Sequence, residues 1–234
     1  MGLYLLYVTE NQYGQEIGDD LGQWEPPEGP PEHTELKGQY VTLEPLVRTS
    51  HAIPLFHVFK RSQTKMWTYL PKGPFVDAAE LGQLIDELNN NPTTQAYAVV
   101  VNDEPLGFLT QMRIRPEEGV LEIGWVTFST ELQRTRESSE ALFLLLKDAF
   151  DHGFRRVEWK TDNLNEASRE AAERVGFTEE GVFLKATHYK GRNRDTAWFG
   201  ITDDVWPEIE EGFGKWLDPS NFDENGEQKE RLGH

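Results

Sequence analysis

Asn163-Leu164-Asn165-Glu166-Ala167-Ser168-Arg169-Glu170-Ala171-Ala172-Glu173-Arg174-Val175-Gly176-Phe177 is the stretch on which the fold turns. It reads as a polar loop, a short amphipathic helix, a glycine stop and a new strand. Leu164, Ala167, Ala171 and Val175 recur at helical spacing and predict one apolar face. Gly176 stands where a helix C-terminus calls for positive φ. Asn163, Asn165 and Ser168 stand at the helix start, where side-chain oxygens cap free N–H groups or meet a ligand. Alone, this is an ordinary capped surface helix. Its neighbours decide more.

On the amino-terminal side, residues 154–160 read as a strand, preceded by the longest helical segment, 133–152, which Gly153 stops. Ala141, Leu142, Phe143, Leu144, Leu145, Leu146, Ala149 and Phe150 cover most of that helix's circumference, so it is expected to be deeply buried. A strand–helix–strand unit implies a parallel pair joined by a right-handed crossover. Before it lie a strand at 40–46, a short helix at 51–60 with Pro54 in its first turn, and a helix capped by Asp77 with Leu81, Leu84, Ile85 and Leu88 in register. Strands then follow at 96–101, 106–114 and 119–128. The strands at 177–189 and 195–201 make a second hairpin, and a last helix spans 204–217. The order β-α-α-β-β-β-α-β-α-β-β predicts an α/β (α+β) mixed sheet with helices on both faces.

Composition narrows the function. The chain has 234 residues and no cysteine, so thiol catalysis, disulfides and cysteine metal sites are excluded. No His/Asp/Glu cluster has metal-ligand spacing, and no metal is expected. Gly-x-Ser-x-Gly and phosphate-loop motifs are absent. The net charge is −18. Residues 1–36 carry eight acids and no Lys or Arg, and residues 203–234 carry ten acids against three bases. No basic surplus exists for nucleic acid, while an acidic field favours an amine. Residues 1–8 are apolar but too short to span a membrane, so a soluble cytoplasmic protein with no membrane partner is expected. The divisions are an acidic Pro/Gly-rich extension (1–36), a catalytic-sized domain (37–202), a helix (203–217) and a loose polar tail (218–234). Tyr4, Tyr7, Tyr13 and Trp24 are candidates to hold the extension along the domain as a strap.

The order of elements, with Leu121-Glu122-Ile123-Gly124-Trp125-Val126, Gln133, Ser139-Glu140-Ala141, Asn165-x-x-Ser168, Gly176-Phe177 and Glu180-Gly181, resembles the GCN5-related N-acetyltransferase (GNAT) superfamily. It is most similar to the branch holding the ribosomal-protein N-terminal alanine acetyltransferases. The resemblance covers residues 39–202. It implies transfer of an acetyl group from acetyl-CoA, as acyl-donor co-substrate, to a small amine or a peptide N-terminus. Monomer and homodimer remain open.

The resemblance also implies roles. The coenzyme's pyrophosphate would lie at the amino end of the long helix, where N–H groups and the helix dipole favour an anion. The family pattern there is Gln/Arg-x-x-Gly-x-Gly/Ala, and this chain reads Gln133-Arg134-Thr135-Arg136-Glu137-Ser138-Ser139. Arg136 replaces the middle glycine, and Arg134 stands where another is frequent. The two guanidiniums either obstruct backbone approach or pair with phosphate themselves. Val126, Thr127 and Phe128 would meet the thioester and pantetheine, and Asn165 the pantetheine or a bridging water.

Glu122 is the candidate base. An acid on so apolar a strand is expected to lose hydration and accept protons more readily, and pairing with Arg113 at a sheet end is the structural alternative. The tyrosine that many relatives use as proton donor is Ala172 here, and Ser168 is the donor that the ribosomal branch implies. Trp67, Tyr69, Tyr97 and His188 are candidates for the acceptor pocket. Arg134, Arg136 and Ala172 also support a second reading, a catalytically degenerate binding module on the same fold.

Overall fold

The computed structural model describes residues 9–232, so Tyr4 and Tyr7 lie outside the described residues. A small hairpin, β1 (Thr9–Glu10) and β2 (Glu16–Ile17), stands apart from the main sheet. The rest of the extension follows the domain as a strap, as its aromatic anchors suggested. Trp24 Nε1 donates to the Gly153 carbonyl at 3.1 Å, and Arg155 stacks on its ring. Gln95 Nε2 donates to the Pro31 carbonyl at 2.6 Å, and His33 packs edge-on against Tyr97. Tyr13 is exposed and holds nothing.

The main sheet contains β3 (Leu36–Lys37), β4 (Thr42–Pro45), β5 (Gln95–Val101), β6 (Glu104–Arg115), β7 (Val120–Phe128), β8 (Arg156–Asp162), β9 (Thr178–Tyr189) and β10 (Arg192–Thr202). Their order in space is β3-β4-β5-β6-β7-β8-β10-β9. β7 and β8 run parallel and the other neighbours antiparallel. The predicted mixed sheet, both hairpins and the parallel crossover are therefore present. Asn102 and Asp103 turn the first hairpin with φ of 48° and 65°, the left-handed geometry of a tight two-residue turn.

Helices α1 (Arg48–Arg61) and α2 (Ala78–Asn89) cover one face, and α3 (Arg136–Asp151) and α4 (Glu166–Arg174) the other. Asp77 caps α2 by accepting from Glu80 N at 2.9 Å. Two expectations need correction. The first helix starts at Arg48, which places Pro54 in its interior. His51 Nδ1 accepts from Val47 N at 2.9 Å and supports that earlier start. In α4 the buried stripe passes through Ala172 and Val175, while Leu164 sits in the preceding turn with 72% of its surface exposed and Ala167 also faces solvent. Gly176 does stop the chain with φ of 100°, and a side chain there would run into Ile209.

Helix α5 (Trp206–Trp216) lies against α3 and explains why α3 is apolar nearly all round. Phe143 stacks on Phe213 at 4.8 Å and Phe150 on Trp206 at 4.7 Å. Full burial of the Phe213 ring alone contributes about 1.5–3 kcal/mol. The tail beyond it is not loose. Phe222 is buried against Trp216 and Tyr40, Asn221 Nδ2 donates to the Trp216 carbonyl, and Phe222 bridges to Gln228. Among the described residues, no helix is long and apolar enough to cross a membrane.

Candidate active site

The parallel pair β7–β8 is in register only from Val120↔Arg156 to Ile123↔Trp159. Both strands continue, to Phe128 and Asp162, but no longer bond to each other. Trp125 takes φ of 48° where β7 bends away, and the register of β7 with β6 shifts there too. A non-glycine residue at positive φ beside a register shift marks a bulge that kinks a strand. The result is a wedge between two strands, with the β8-facing edge of Val126–Phe128 free of ladder partners. This free edge lies at Val126, Thr127 and Phe128, the residues that the resemblance places against the thioester and pantetheine.

The amino end of α3 closes the wide side of this wedge. The helix begins at Arg136, three residues later than Gln133. Thr135 is the N-cap, and its hydroxyl accepts from Ser138 N at 3.1 Å. The Ser138 and Ser139 hydroxyls both turn inward to the Thr135 carbonyl, and Ser139 is wholly buried. Ser139 also accepts from Arg174 and is corrected from ligand contact to helix-start support, while Ser138, buried as well, is bonded to Thr135. Gln133 Nε2 donates to the Phe128 carbonyl at 2.8 Å and pins the end of β7 to the helix entry.

Arg134 has φ of 63°, the conformation a glycine would adopt there, and is exposed with no ion pair or hydrogen bond among the described residues. Arg136 behaves differently. Its guanidinium lies 4.1 Å from the Tyr40 ring centre and 5.3 Å from that of Phe222, and its Nε pairs with Glu137 at 2.9 Å. The expectation that both guanidiniums obstruct or meet phosphate is corrected for Arg136, because the aromatic flanks hold it. These residues fit a diphosphate: a capped helix start, a preserved left-handed residue and one uncommitted cation.

Glu122 stands at the crotch of the wedge, 4% exposed. Across the parallel pair it faces Glu158, and Lys160 Nζ sits between them, 2.9 Å from Glu122 and 2.8 Å from Glu158. Arg113 reaches Glu122 from β6, where φ of 49° and a register shift re-aim its side chain. The carboxylate is dehydrated as expected, but it is not bare, and the Arg113 alternative is realised with a second cation beside it. Burial pushes the Glu158 carboxyl up, yet Lys160 and Arg156 hold it below the usual range.

Asn165 caps α4, with Oδ1 accepting from Ser168 N at 3.3 Å. The Ser168 hydroxyl accepts from Trp159 Nε1 at 3.1 Å, which leaves its own proton available to another acceptor. Ala172 is fully buried, with no room for a tyrosine there.

The acceptor candidates divide. Tyr69 is half-buried and within electrostatic reach of Tyr189. Trp67 places its ring in the core between Phe59 and Phe75, and only its carbonyl faces the site, where Lys190 Nζ donates at 2.6 Å. Tyr97 is corrected outright. Strand alternation sends Ala96 and Ala98 toward α1 and α2 and Tyr97 toward α3, fully buried. His188 is also corrected. Its neighbour Tyr189 turns to Asp162, donating to Oδ2 at 2.7 Å, so His188 points to the other side of the strand. Burial and the Asp162 carboxylate push the Tyr189 phenol up, so it stays protonated.

Sequence reasoning missed Lys160, Asp162, Arg194 and Lys190. A signal existed for the first two: Arg156, Glu158, Lys160 and Asp162 alternate along one strand, which marks one of its faces as charged. Arg194 and Lys190 lie far along the chain and carried no pattern.

Comparison with known proteins accords with this geometry. Residues 41–178 match the family described as Acetyltransferase (GNAT) domain. A search of curated proteins returns no match. A GCN5-related N-acetyltransferase from Brucella melitensis is 38% identical, with TM-score 0.86, covering 91% of this chain and 97% of its own. The fold is shared more distantly with a Salmonella typhimurium acetyl transferase that modifies the N-terminal serine of ribosomal protein L7/L12 (20% identity, TM-score 0.63, covering 70% of this chain and 96% of its own). It is shared as well with Mycobacterium smegmatis RimJ in complex with CoA-disulfide (20% identity, TM-score 0.62, covering 71% of this chain and 84% of its own). With more than half of its length in the family match and a 38% identical relative spanning nearly all of it, this chain belongs to the GNAT acetyltransferase family.

Proposed function

We propose that the chain transfers the acetyl group of acetyl-CoA to a primary amine by direct attack on the thioester. The acceptor is a small amine or a protein N-terminus. The observation that carries this reading is the parting of β7 from β8 just beyond Glu122, beside the capped start of α3. Two fold relatives lend support: one holds a CoA derivative, and one acts on a protein N-terminus.

Acetyl-CoA supplies an activated acyl carbon and a thiolate leaving group. The α3 N–H groups and Arg134 would hold its diphosphate. The unpaired edge of Val126–Phe128 would orient the thioester and donate to its oxygen as charge develops there. Glu122 takes the amine proton, directly or through one water, as the C–N bond forms. Ser168 gives its proton to sulfur as the C–S bond breaks. Trp159 holds that hydroxyl in place, and Asn165 fixes the helix start that carries it.

Calorimetry with acetyl-CoA, followed by thiol release over an amine panel, tests the reading. Binding with release supports it. Binding without release from any amine favours the degenerate module, the reading that Ala172 supports. Glu122→Gln should slow release more at neutral pH than at high pH, where amines arrive unprotonated. A variant equal to wild type at both would remove Glu122 from the chemistry.

A further inference from the structure

On the open face of β7, β8 and β10, the charged side chains around Glu122 have hydrogen-bond or ion-pair partners, with one exception. Lys160 is shared by Glu122 and Glu158. Arg156 is matched by Glu158 and Glu180. Asp162 accepts from the Tyr189 hydroxyl and from Leu164 N. Arg194 has no such partner. Its guanidinium lies within electrostatic reach of Glu122, Asp162, Tyr189 and Arg113, yet it makes no hydrogen bond or ion pair among the described residues, and its Nε is buried without an acceptor. On the same strand, the Trp198 indole N–H is also buried without an acceptor.

Two buried donors without partners are costly. Each has given up its hydration and gained no acceptor in return. A guanidinium is also the side chain best shaped to take a carboxylate through two parallel N–H bonds. Arg113, half-exposed and using one nitrogen on Glu122, offers further donors beside it.

We propose that Arg194 seats a carboxylate of the acceptor, so that the preferred acceptor is a primary amine bearing a carboxylate close to the amino group. This rests on the amine-acetylating reading above and narrows its substrate class. The amine then faces Glu122 while its carboxylate takes the free donors of Arg194. Two sources share this chemistry: the α-carboxylate of a free amino acid, and the side chain of an acidic residue leading a peptide. The acidic surface of the chain as a whole would repel such a ligand, so selectivity has to come from short-range donors of this kind.

Matched pairs test it. Thiol release is measured with alanine against alaninamide, and with an aspartate-led dipeptide amide against its asparagine-led counterpart. In at least one pair the carboxylate member should lead by about 10- to 100-fold in kcat/KM, mostly through KM. Which pair responds identifies the source. Arg194→Gln should erase that lead by bringing the carboxylate member down to its uncharged counterpart, and Arg194→Lys should restore part of it. Calorimetric titration of the same compounds onto the free protein gives a second readout. Carboxylate-dependent heat lost in Arg194→Gln supports the seat even if no amine releases thiol, an outcome that would count against acetyl transfer alone. Equal rates and equal heats within both pairs would overturn the proposal. So would an Arg194→Gln variant that lowers both members alike and loses thermal stability, since that is the signature of a structural arginine or of ordered water as the missing acceptor.

Discussion

The guanidinium carbon of Arg136 lies 4.1 Å from the centre of the Tyr40 ring. Through this contact the residue that replaces a family glycine turns away from the cofactor wedge and ties the first turn of α3 to both flanks, with Phe222 stacking on it from the tail. Arg136→Gly should therefore destabilise the protein by about 1–2 kcal/mol, from lost cation–π contact and helix propensity. It should leave acetyl-CoA affinity nearly unchanged. Denaturant unfolding and calorimetry measure the two separately. A loss of affinity of about tenfold would place the guanidinium on the phosphates instead.

Arg134 makes the opposite trade. Its φ of 63° is strained for a residue with a β-carbon, by about 1 kcal/mol. Arg134→Gly should raise the melting temperature of the free protein and weaken coenzyme binding, because an uncommitted cation at the helix mouth is lost. Thermal unfolding with and without acetyl-CoA reads both effects in one experiment. Tighter binding by the glycine variant would show that the β-carbon obstructs the site.

Glu140 ties the turn between β3 and β4 to α3. Its carboxyl accepts from the backbone N–H groups of Gln39, Tyr40 and Val41 at 2.7, 2.7 and 2.9 Å. Burial nevertheless outweighs these bonds and raises its pKa above the ordinary 4.5. A folded state that holds the proton more firmly than the unfolded chain gains stability at low pH, and loses it as pH rises through the folded value. Glu140→Gln carries no such dependence. The stability gap between wild type and variant should narrow as pH rises above 4.5, as followed by melting temperature. A widening gap would mean that the three N–H bonds dominate.

Gly38 lies against the same carboxyl, where a β-carbon would come within 2.5 Å of it. Gly38→Ala should cost about 1–3 kcal/mol in denaturant unfolding. A neutral effect would show that the Glu140 side chain can move aside.

Ser168 has two roles that one pair of variants can separate. Ser168→Ala should reduce kcat on the order of 100-fold, as expected for loss of a positioned acid. It should also destabilise by about 1–3 kcal/mol, because the Trp159 indole N–H loses its acceptor. Adding Trp159→Phe removes the orphaned donor and should recover part of the stability and none of the turnover. If the single variant keeps full kcat, the serine is a structural acceptor only.

Much of this architecture was legible in the chain. Periodicity in residues 81–88, the turn at Asn102-Asp103 and the glycine stop at Gly176 depend on neighbours a few residues away, and local sterics settle them. The helix–strand order around residues 133–160 allowed only a parallel crossover, and the acetyltransferase family followed from motifs set on that order. Glu122 and Ser168 stood out as candidates because each sits inside such a motif.

What the tertiary structure alone decided involves residues that meet only after folding. Tyr97 went to the α3 side because strand register, invisible in composition, chose its face. Arg136 looked like a phosphate ligand until Tyr40 and Phe222, from opposite ends of the chain, closed around it. Arg194 had no motif at all; its significance is that the charged side chains near it already have hydrogen-bond or ion-pair partners, an arrangement that exists only where the strands bring distant side chains to one surface.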